Sequence, residues 1–453
     1  MLGFLEKVII GINDLLWNKH ILVVMLLFTG MYFTIKTRFL PFRKFKEMIR
    51  VITEKNTVRN DDGESISSFQ AFCVSTASRV GAGNLAGVVA AISIGGPGSI
   101  FWMWIVALVG SSSAFIESTL AQIYKERDPV TGGYRGGPAY FMEKALNKRW
   151  MGVLFAISGL ICWAGVSQVM SNTMTESIYN IFKIDKLLII SILTVLGAII
   201  LFGKKDKIAR VLEKLVPVMA TLYLAVVLFI VLKNIAVLPK MLLEIVENAF
   251  GIKQAVSGGI GAVVMQGVKR GLFSNEAGSG SAPCAAAAAN VSHPVKQGLI
   301  QSLGVFVDTL LICSATAFVM LLADKSVTKG LVGMELLQKS TEYHIGSIGQ
   351  YFIAFILLLF CFSTFLGILY YAKPNIAFLY DKKIGQEIYK VFALVMFFLG
   401  GLSKYNFVWA LADFGLGLMT IINLCAIMPL SKVAIESLED YEMNHEGKKK
   451  FKI

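Results

Sequence analysis

Charge is scarce in this chain. Of 453 residues only 16% are Asp, Glu, Lys or Arg, against 55% hydrophobic, and the mean hydropathy is +0.66. That balance is too apolar for a soluble protein of this length and indicates a polytopic membrane protein. Residues for metal and covalent chemistry are scarce too. Four histidines (His20, His293, His344, His445) are scattered at loops and ends, and HExxH, GxSxG and Walker patterns are absent, so enzymatic hydrolysis and ATP-driven work have no support. The six cysteines (Cys73, Cys162, Cys284, Cys313, Cys361, Cys425) lie in apolar segments with no CxxC pair. They read as small buried hydrophobes and imply neither a disulfide framework nor a metal centre. Acids are fewer than bases, giving a net charge of +13. The bases fall between apolar runs rather than on one basic, aromatic-laced domain, so the positive-inside rule accounts for them and nucleic-acid binding is excluded. Glu6 and Asp14 precede Lys19, and no cleavage-site pattern follows the first apolar run, which is therefore expected to be a retained helix.

What is abundant is long apolar runs. Eleven are expected to span the membrane, at about residues 16–35, 66–94, 99–124, 151–181, 187–202, 215–232, 254–289, 299–322, 348–372, 386–402 and 405–428. Net-basic connections at 36–60, 125–149, 204–210 and 373–383, and the tail Lys448-Lys449-Lys450-Phe451-Lys452, are expected to be cytoplasmic. That places the N-terminus outside and the C-terminus in the cytoplasm. Two amphipathic pieces are expected at the surfaces, residues 139–146 inside and 238–250 outside, and the loop at 324–344 is expected to be external.

The second and seventh runs are interrupted. Residues 66–94 contain Arg79-Val80-Gly81-Ala82-Gly83-Asn84, and 254–289 contain Gly271 to Gly280, Gly-Leu-Phe-Ser-Asn-Glu-Ala-Gly-Ser-Gly. Glycine and asparagine at mid-depth disfavour a continuous helix, and a freed backbone group in hydrocarbon survives only where it lines a cavity. Setting the first span aside leaves two groups of five, each opening on a broken helix. Five is odd, so the second group runs in the opposite sense to the first. The expected fold is an all-α membrane protein with one extra N-terminal helix and a five-plus-five inverted repeat. Its sections are 1–60 (first span and basic loop), 61–235 and 236–432 (the two repeats) and 433–453 (tail).

The breaks carry the candidate chemistry. Amides of Gly81, Ala82, Gly83 and Asn84 open a half-helix whose positive end favours a carboxylate, and carbonyls from Ser75 to Val80 suit a cation. Phe273, Ser274, Asn275 and Glu276 lie in the second break. A glutamate there costs roughly 2.5 to 3.5 kcal/mol and needs a partner, expected to be Arg79, with Lys269 or Arg270 as alternatives. Gln168 sits among small residues and either faces the cavity or makes an interhelical hydrogen bond. Ser363 and Thr364, if not bonded back to their own helix, add hard oxygens for sodium. Glu117, Asp308 and Asp413 have no neighbouring motif. A passive channel or a ligand sensor built on the same broken helices is the rival class.

The chain resembles the alanine/glycine:cation symporters, also called sodium:alanine symporters, over nearly its whole length. The resemblance rests on Gly95-Gly96-Pro97-Gly98-Ser99-Ile100-Phe101-Trp102-Met103-Trp104, on Arg79 to Asn84, and on Gly271-Leu272-Phe273-Ser274-Asn275-Glu276-Ala277-Gly278 with Ser281-Ala282-Pro283. It implies the leucine-transporter fold, a plasma-membrane location, and import of alanine or glycine with sodium, or sometimes protons, without an organic cofactor. It further implies that Ser75, Thr76, Gly83, Asn84, Gln168, Phe273, Ser274, Asn275 and Glu276 surround the amino acid. Carbonyls of Ala77 and Val80 with the hydroxyls of Ser363 and Thr364 would hold sodium. Ala82 and Tyr370 stand where many members have threonine and tryptophan, which leaves the choice between alanine and glycine open.

Overall fold

The computed structural model describes residues 2–54, 65–129, 131–203, 208–251 and 259–446. Lys55 and Arg59 of the first basic loop, Lys204, Lys205 and Lys207, the start of the second broken segment at residue 254, and the lysines of the tail lie outside them. The chain is almost wholly helical, because in hydrocarbon only a helix satisfies its own backbone. The N-terminal run is longer than the sequence suggests. Helix α1 (Leu2–Asn13) and a π-helical turn (Asp14–Asn18) precede α2 (Ile21–Lys36), and the two parts bend by 43° at His20, whose φ is 60°. The basic connection folds into two short helices, α3 (Leu40–Arg43) and α4 (Phe45–Ile52).

The first interrupted segment is α5 (Ser68–Arg79), a π turn (Gly83–Gly87) and α6 (Val88–Gly95), bent by 48°. Ser67 and Gln70 form a reciprocal capping box that fixes where α5 starts. Gly96, at φ 74°, turns the chain into α7 (Gly98–Ile123). A two-stranded antiparallel hairpin follows, β1 (Glu126–Arg127) and β2 (Tyr134–Arg135), leading to α8 (Pro138–Lys144). Helix α8 corrects the expectation of a surface-lying piece. Ala139, Tyr140, Phe141 and Met142 are all buried, because α8 packs against α7 and α9 (Arg149–Phe182).

Next come α10 (Lys186–Phe202), α11 (Ile208–Lys233) and the amphipathic α12 (Leu238–Ala249). The second interrupted segment is α13 (Gly259–Asn275) and α14 (Ala282–Ala288). Helices α15 (Pro294–Val305) and α16 (Ser314–Leu321) form one continuous apolar element through a π-helical stretch, Phe306–Cys313. The connection expected to be an external loop contains two helices, α17 (Lys325–Thr328) and α18 (Gly333–Ile345). In α18 Leu337, Gln338, Ser340 and Thr341 are buried. The chain ends with α19 (Ile348–Leu379), α20 (Lys383–Leu402) and α21 (Tyr405–Tyr441).

Among the described residues seven helices are long and apolar enough to cross a membrane, and the two bent pairs bring the number to nine. The lipid-facing sides are visible in composition: α10, α11 and α20 expose Ile, Leu, Val and Phe along their outer faces. The interior instead holds glycines at crossings. A Cβ on Gly415 would lie within 2.6 Å of the Cys162 backbone nitrogen, and one on Gly165 2.8 Å from that of Ala412, so α9 and α21 meet almost backbone to backbone.

Candidate functional site

The two breaks touch. Between α5 and the π turn only residues 80–82 leave the helix, and Val80 donates its N–H to the Thr76 carbonyl. Asn84 closes this break from within, its Oδ1 accepting from the Gly81 N–H at 3.0 Å. Gly83 lies directly against the other break: a Cβ there would sit 3.2 Å from Phe273 and from the Ser274 Cα. Glycine allows that close approach, and a side chain there would press on Phe273 and Ser274.

Asp308, from the π-helical stretch after α15, joins the two. One carboxylate oxygen accepts from Asn84 Nδ2 at 2.7 Å, the other from Ser274 Oγ at 2.7 Å and Thr309 Oγ1 at 2.9 Å, and Asn275 Nδ2 donates to Thr309 Oγ1. Sequence reasoning left Asp308 unassigned because no motif surrounds it. The signal was its depth, since an intramembrane acid is a functional candidate by default.

Glu276 begins the second break in a left-handed conformation, φ 56°. Its carboxylate accepts from Ser78 Oγ at 3.0 Å and Tyr371 Oη at 3.3 Å. The expected ion pair with Arg79 is not formed. Arg79 is buried, but its Nη1 donates to the Gln301 carbonyl at 3.3 Å, and Nε and Nη2 have no hydrogen-bond partner among the described residues. The alternatives are committed elsewhere: Arg270 forks onto Asp413 at 3.2 and 3.0 Å, and Lys269 reaches the same carboxylate at 2.8 Å. The Arg270 guanidinium also lies 4.2 Å over Trp409, whose ring centroid is 4.7 Å from that of Phe273.

Glu117, on α7, braces the second break. It accepts from the amides of Gly278 (3.2 Å) and Gly280 (3.1 Å), both at positive φ, and from Asn423 Nδ2 (2.7 Å).

A cavity of about 20 Å³ lies between the breaks, lined among others by Ser78, Arg79, Gly83, Trp163, Phe273 and Glu276. It has room for about one water and none for an amino acid. Gln168 is not part of it. Its amide nitrogen lies 3.7 Å from Met396 Sδ, and its Cα meets Gly400, so it faces α20, while Cys162, Trp163, Val166 and Met170 of the same helix turn to the cavity. Thr364 Oγ1 donates to the Ala77 carbonyl at 2.8 Å, bringing two of the expected sodium oxygens together, and Ser363 turns its hydroxyl back to Phe360. Ser75 Oγ likewise bonds its own helix, at Phe72, and the buried Thr76 hydroxyl has no partner among the described residues.

A much larger vestibule, about 860 Å³, lies beside α14, α19, α20 and the β-hairpin. One lining residue, Arg135, holds Asp381 bidentately, at 2.7 and 2.8 Å, and keeps that carboxyl below its ordinary range. Lys373, Lys383, Lys390 and Arg210 add to a basic lining.

Residues 2–453 match the model of the sodium:alanine symporter family. The chain belongs to the sodium:alanine symporter family. It is 50% identical over 442 residues to the probable sodium/glutamine symporter GlnT of Bacillus subtilis (strain 168), covering 97% of this chain and 91% of that protein. The sodium/alanine symporter AgcS of Methanococcus maripaludis is 33% identical over 438 residues, 95% and 96% of the two chains. Among solved structures, a mutant form of the Eremococcus coleocola manganese transporter superposes with a TM-score of 0.52 at 12% identity, over 83% of this chain and 82% of that one. A likeness at that identity shows a shared membrane-transporter fold. As a sodium:alanine symporter family member, the protein is a transporter and not an enzyme.

Proposed function

We propose that this protein is a sodium-coupled symporter that imports a small neutral amino acid, alanine or glycine, by alternating access. The observation that carries the reading is the meeting of the two breaks, Gly83 against Phe273 and Ser274, beside a carbonyl and a hydroxyl, Ala77 and Thr364, already paired for a hard cation. The zwitterion's carboxylate lies at the half-helix amides near Gly83 and Asn84, and its ammonium at carbonyls of Phe273 to Asn275, with Ser75, Thr76, Ser274 and Glu276 around it. Gln168, turned toward α20, stands outside that shell. Sodium takes the Ala77 and Val80 carbonyls and Thr364, with Ser363 available once its hydroxyl rotates. The broken α5/α6 and α13/α14 segments open two inverted five-helix repeats, which together with the N-terminal span give eleven crossings. The basic vestibule then faces the cytoplasm, with the N-terminus outside.

Glutamine is the second reading, favoured by the 50% identity to a protein named a probable sodium/glutamine symporter. The tight aromatic lining, Phe273 and Trp163, favours the smaller substrates. Uptake of labelled alanine, glycine and glutamine into proteoliposomes, with sodium or potassium outside, decides between them. Sodium-dependent accumulation of alanine, competed by glycine more strongly than by glutamine, is expected. Preference for glutamine would move the assignment, and uptake indifferent to sodium would remove the coupling.

A further inference from the structure

The cavity between the breaks and the vestibule are separated by very little protein. Ser281 lines the cavity, and Cys284, one turn along α14, lines the vestibule. Tyr371 is in contact with residues on both sides. It is fully buried, its hydroxyl donates to Glu276 Oε2 at 3.3 Å and lies 3.5 Å from the Ser75 carbonyl, and its ring centroid is 6.0 Å from that of Trp163. Its neighbours on α19, Tyr370, Lys373 and Pro374, line the vestibule, whereas Glu276 and Trp163 line the cavity. Behind it, Asn375 donates to the Tyr371 carbonyl at 2.9 Å and to Cys284 Sγ at 3.4 Å, tying α19 on the vestibule side to α14.

We propose that Tyr371 is the inner gate of the site, closed by its hydroxyl on the Glu276 carboxylate. The inference rests on the reading that substrate leaves the breaks through the vestibule. Glu276 is held on its other side by Ser78 of α5, so the single bond from Tyr371 ties α19 to both broken segments at once. Swinging the phenol off Glu276 joins the cavity to the vestibule without unpacking a helix. It also uncovers a carboxylate beside the departing ammonium. No covalent step is involved.

Two native cysteines report on either side of this gate, Cys162 in the cavity and Cys284 in the vestibule. In two single-cysteine versions of the full chain, reconstituted into proteoliposomes, the measurement is the rate of modification by a membrane-impermeant methanethiosulfonate applied from the side that reaches Cys284. Tyr371→Phe keeps the ring and removes the bond. Loss of a hydrogen bond to a charged group is expected to raise the Cys162 rate roughly tenfold or more, with the Cys284 rate unchanged. Glu276→Gln, which weakens the same bond from its other end, is expected to act in the same direction and serves if Tyr371→Phe does not fold. A Cys162 rate unmoved in the folded variant, or Cys162 and Cys284 rates rising together as in general loosening, would overturn the gate. The side from which Cys284 reacts separately tests the proposed orientation, and sodium-independent uptake with a Cys162 response would remove the symporter reading while leaving the gate.

Discussion

The first break is three residues long and is closed by neutral groups, Asn84 on the Gly81 amide and Thr364 on the Ala77 carbonyl. The second runs from Glu276 to Ser281, with three residues at positive φ, and is held by a buried carboxylate, Glu117, on the amides of Gly278 and Gly280. The neutral break keeps short, hard oxygens and a half-helix end in reach of small ions. The longer, left-handed break gains access to Glu276 at the cost of backbone strain, and it persists because another helix over-determines it. Asp308 links the two broken segments, one oxygen accepting from Asn84 after the first break and the other from Ser274 before the second.

The largest effect expected from this contrast is at Glu117. Glu117→Ala leaves the amides of Gly278 and Gly280 without their acceptor, at about 1 to 3 kcal/mol for each buried group, while Asn423 keeps its bond to the Gly278 carbonyl. Thermal unfolding in detergent should show a large loss of folded protein, and Glu117→Gln, which keeps one acceptor, a smaller one. A Glu117→Ala protein as stable as the parent would mean that the second break stands without its brace. Gly81→Ala comes next. The added Cβ would fall on Thr364 Oγ1, and overpacking of this kind costs about 1 to 3 kcal/mol. It should push Thr364 off Ala77, weakening sodium dependence and stability together. Thr364→Ala separates those effects: it deletes one oxygen and leaves a residue that packs, so the half-saturating sodium concentration should rise several-fold, by roughly 1 kcal/mol of hydrogen-bond-scale interaction, with little change in unfolding. An unchanged sodium titration would put the ion elsewhere.

The breaks themselves were legible because glycine and asparagine inside a long apolar run contradict a membrane helix whatever surrounds them. Partners were not legible. Glu276 and Arg79 seemed natural mates by charge, yet Glu276 is held by the neutral Ser78 and Tyr371, and Arg79 reaches the Gln301 carbonyl while its Nε and Nη2 have no hydrogen-bond partner among the described residues. Glu117 and Asp308 act across 161 and 34 residues respectively, and no local spacing encodes such contacts. For α8, amphipathicity marked a helix with one apolar face, and that pattern is the same whether the face meets lipid or α9. Gln168 shows the same limit on α9, where the polar residue turns to α20 and the apolar Val166 and Met170 turn to the cavity. Gln168→Ala is accordingly the smallest effect expected. The KM for uptake should stay within about twofold, on the scale of a substitution away from the site, and a tenfold rise would return Gln168 to the substrate shell.

The central claim is that the paired breaks couple one amino acid to sodium, and the most direct measurement is uptake of labelled alanine into proteoliposomes under an imposed sodium gradient, before and after an ionophore collapses the membrane potential. A tenfold gradient supplies about 1.4 kcal/mol, and each 100 mV adds about 2.3 kcal/mol per charge. One sodium per substrate then supports accumulation of roughly several hundredfold, falling to about tenfold when the potential is removed and to none when the sodium gradient is removed as well. Uptake that ignores both manipulations would contradict the account and leave a facilitator. Dependence on pH alone would keep the paired breaks and replace sodium by the proton.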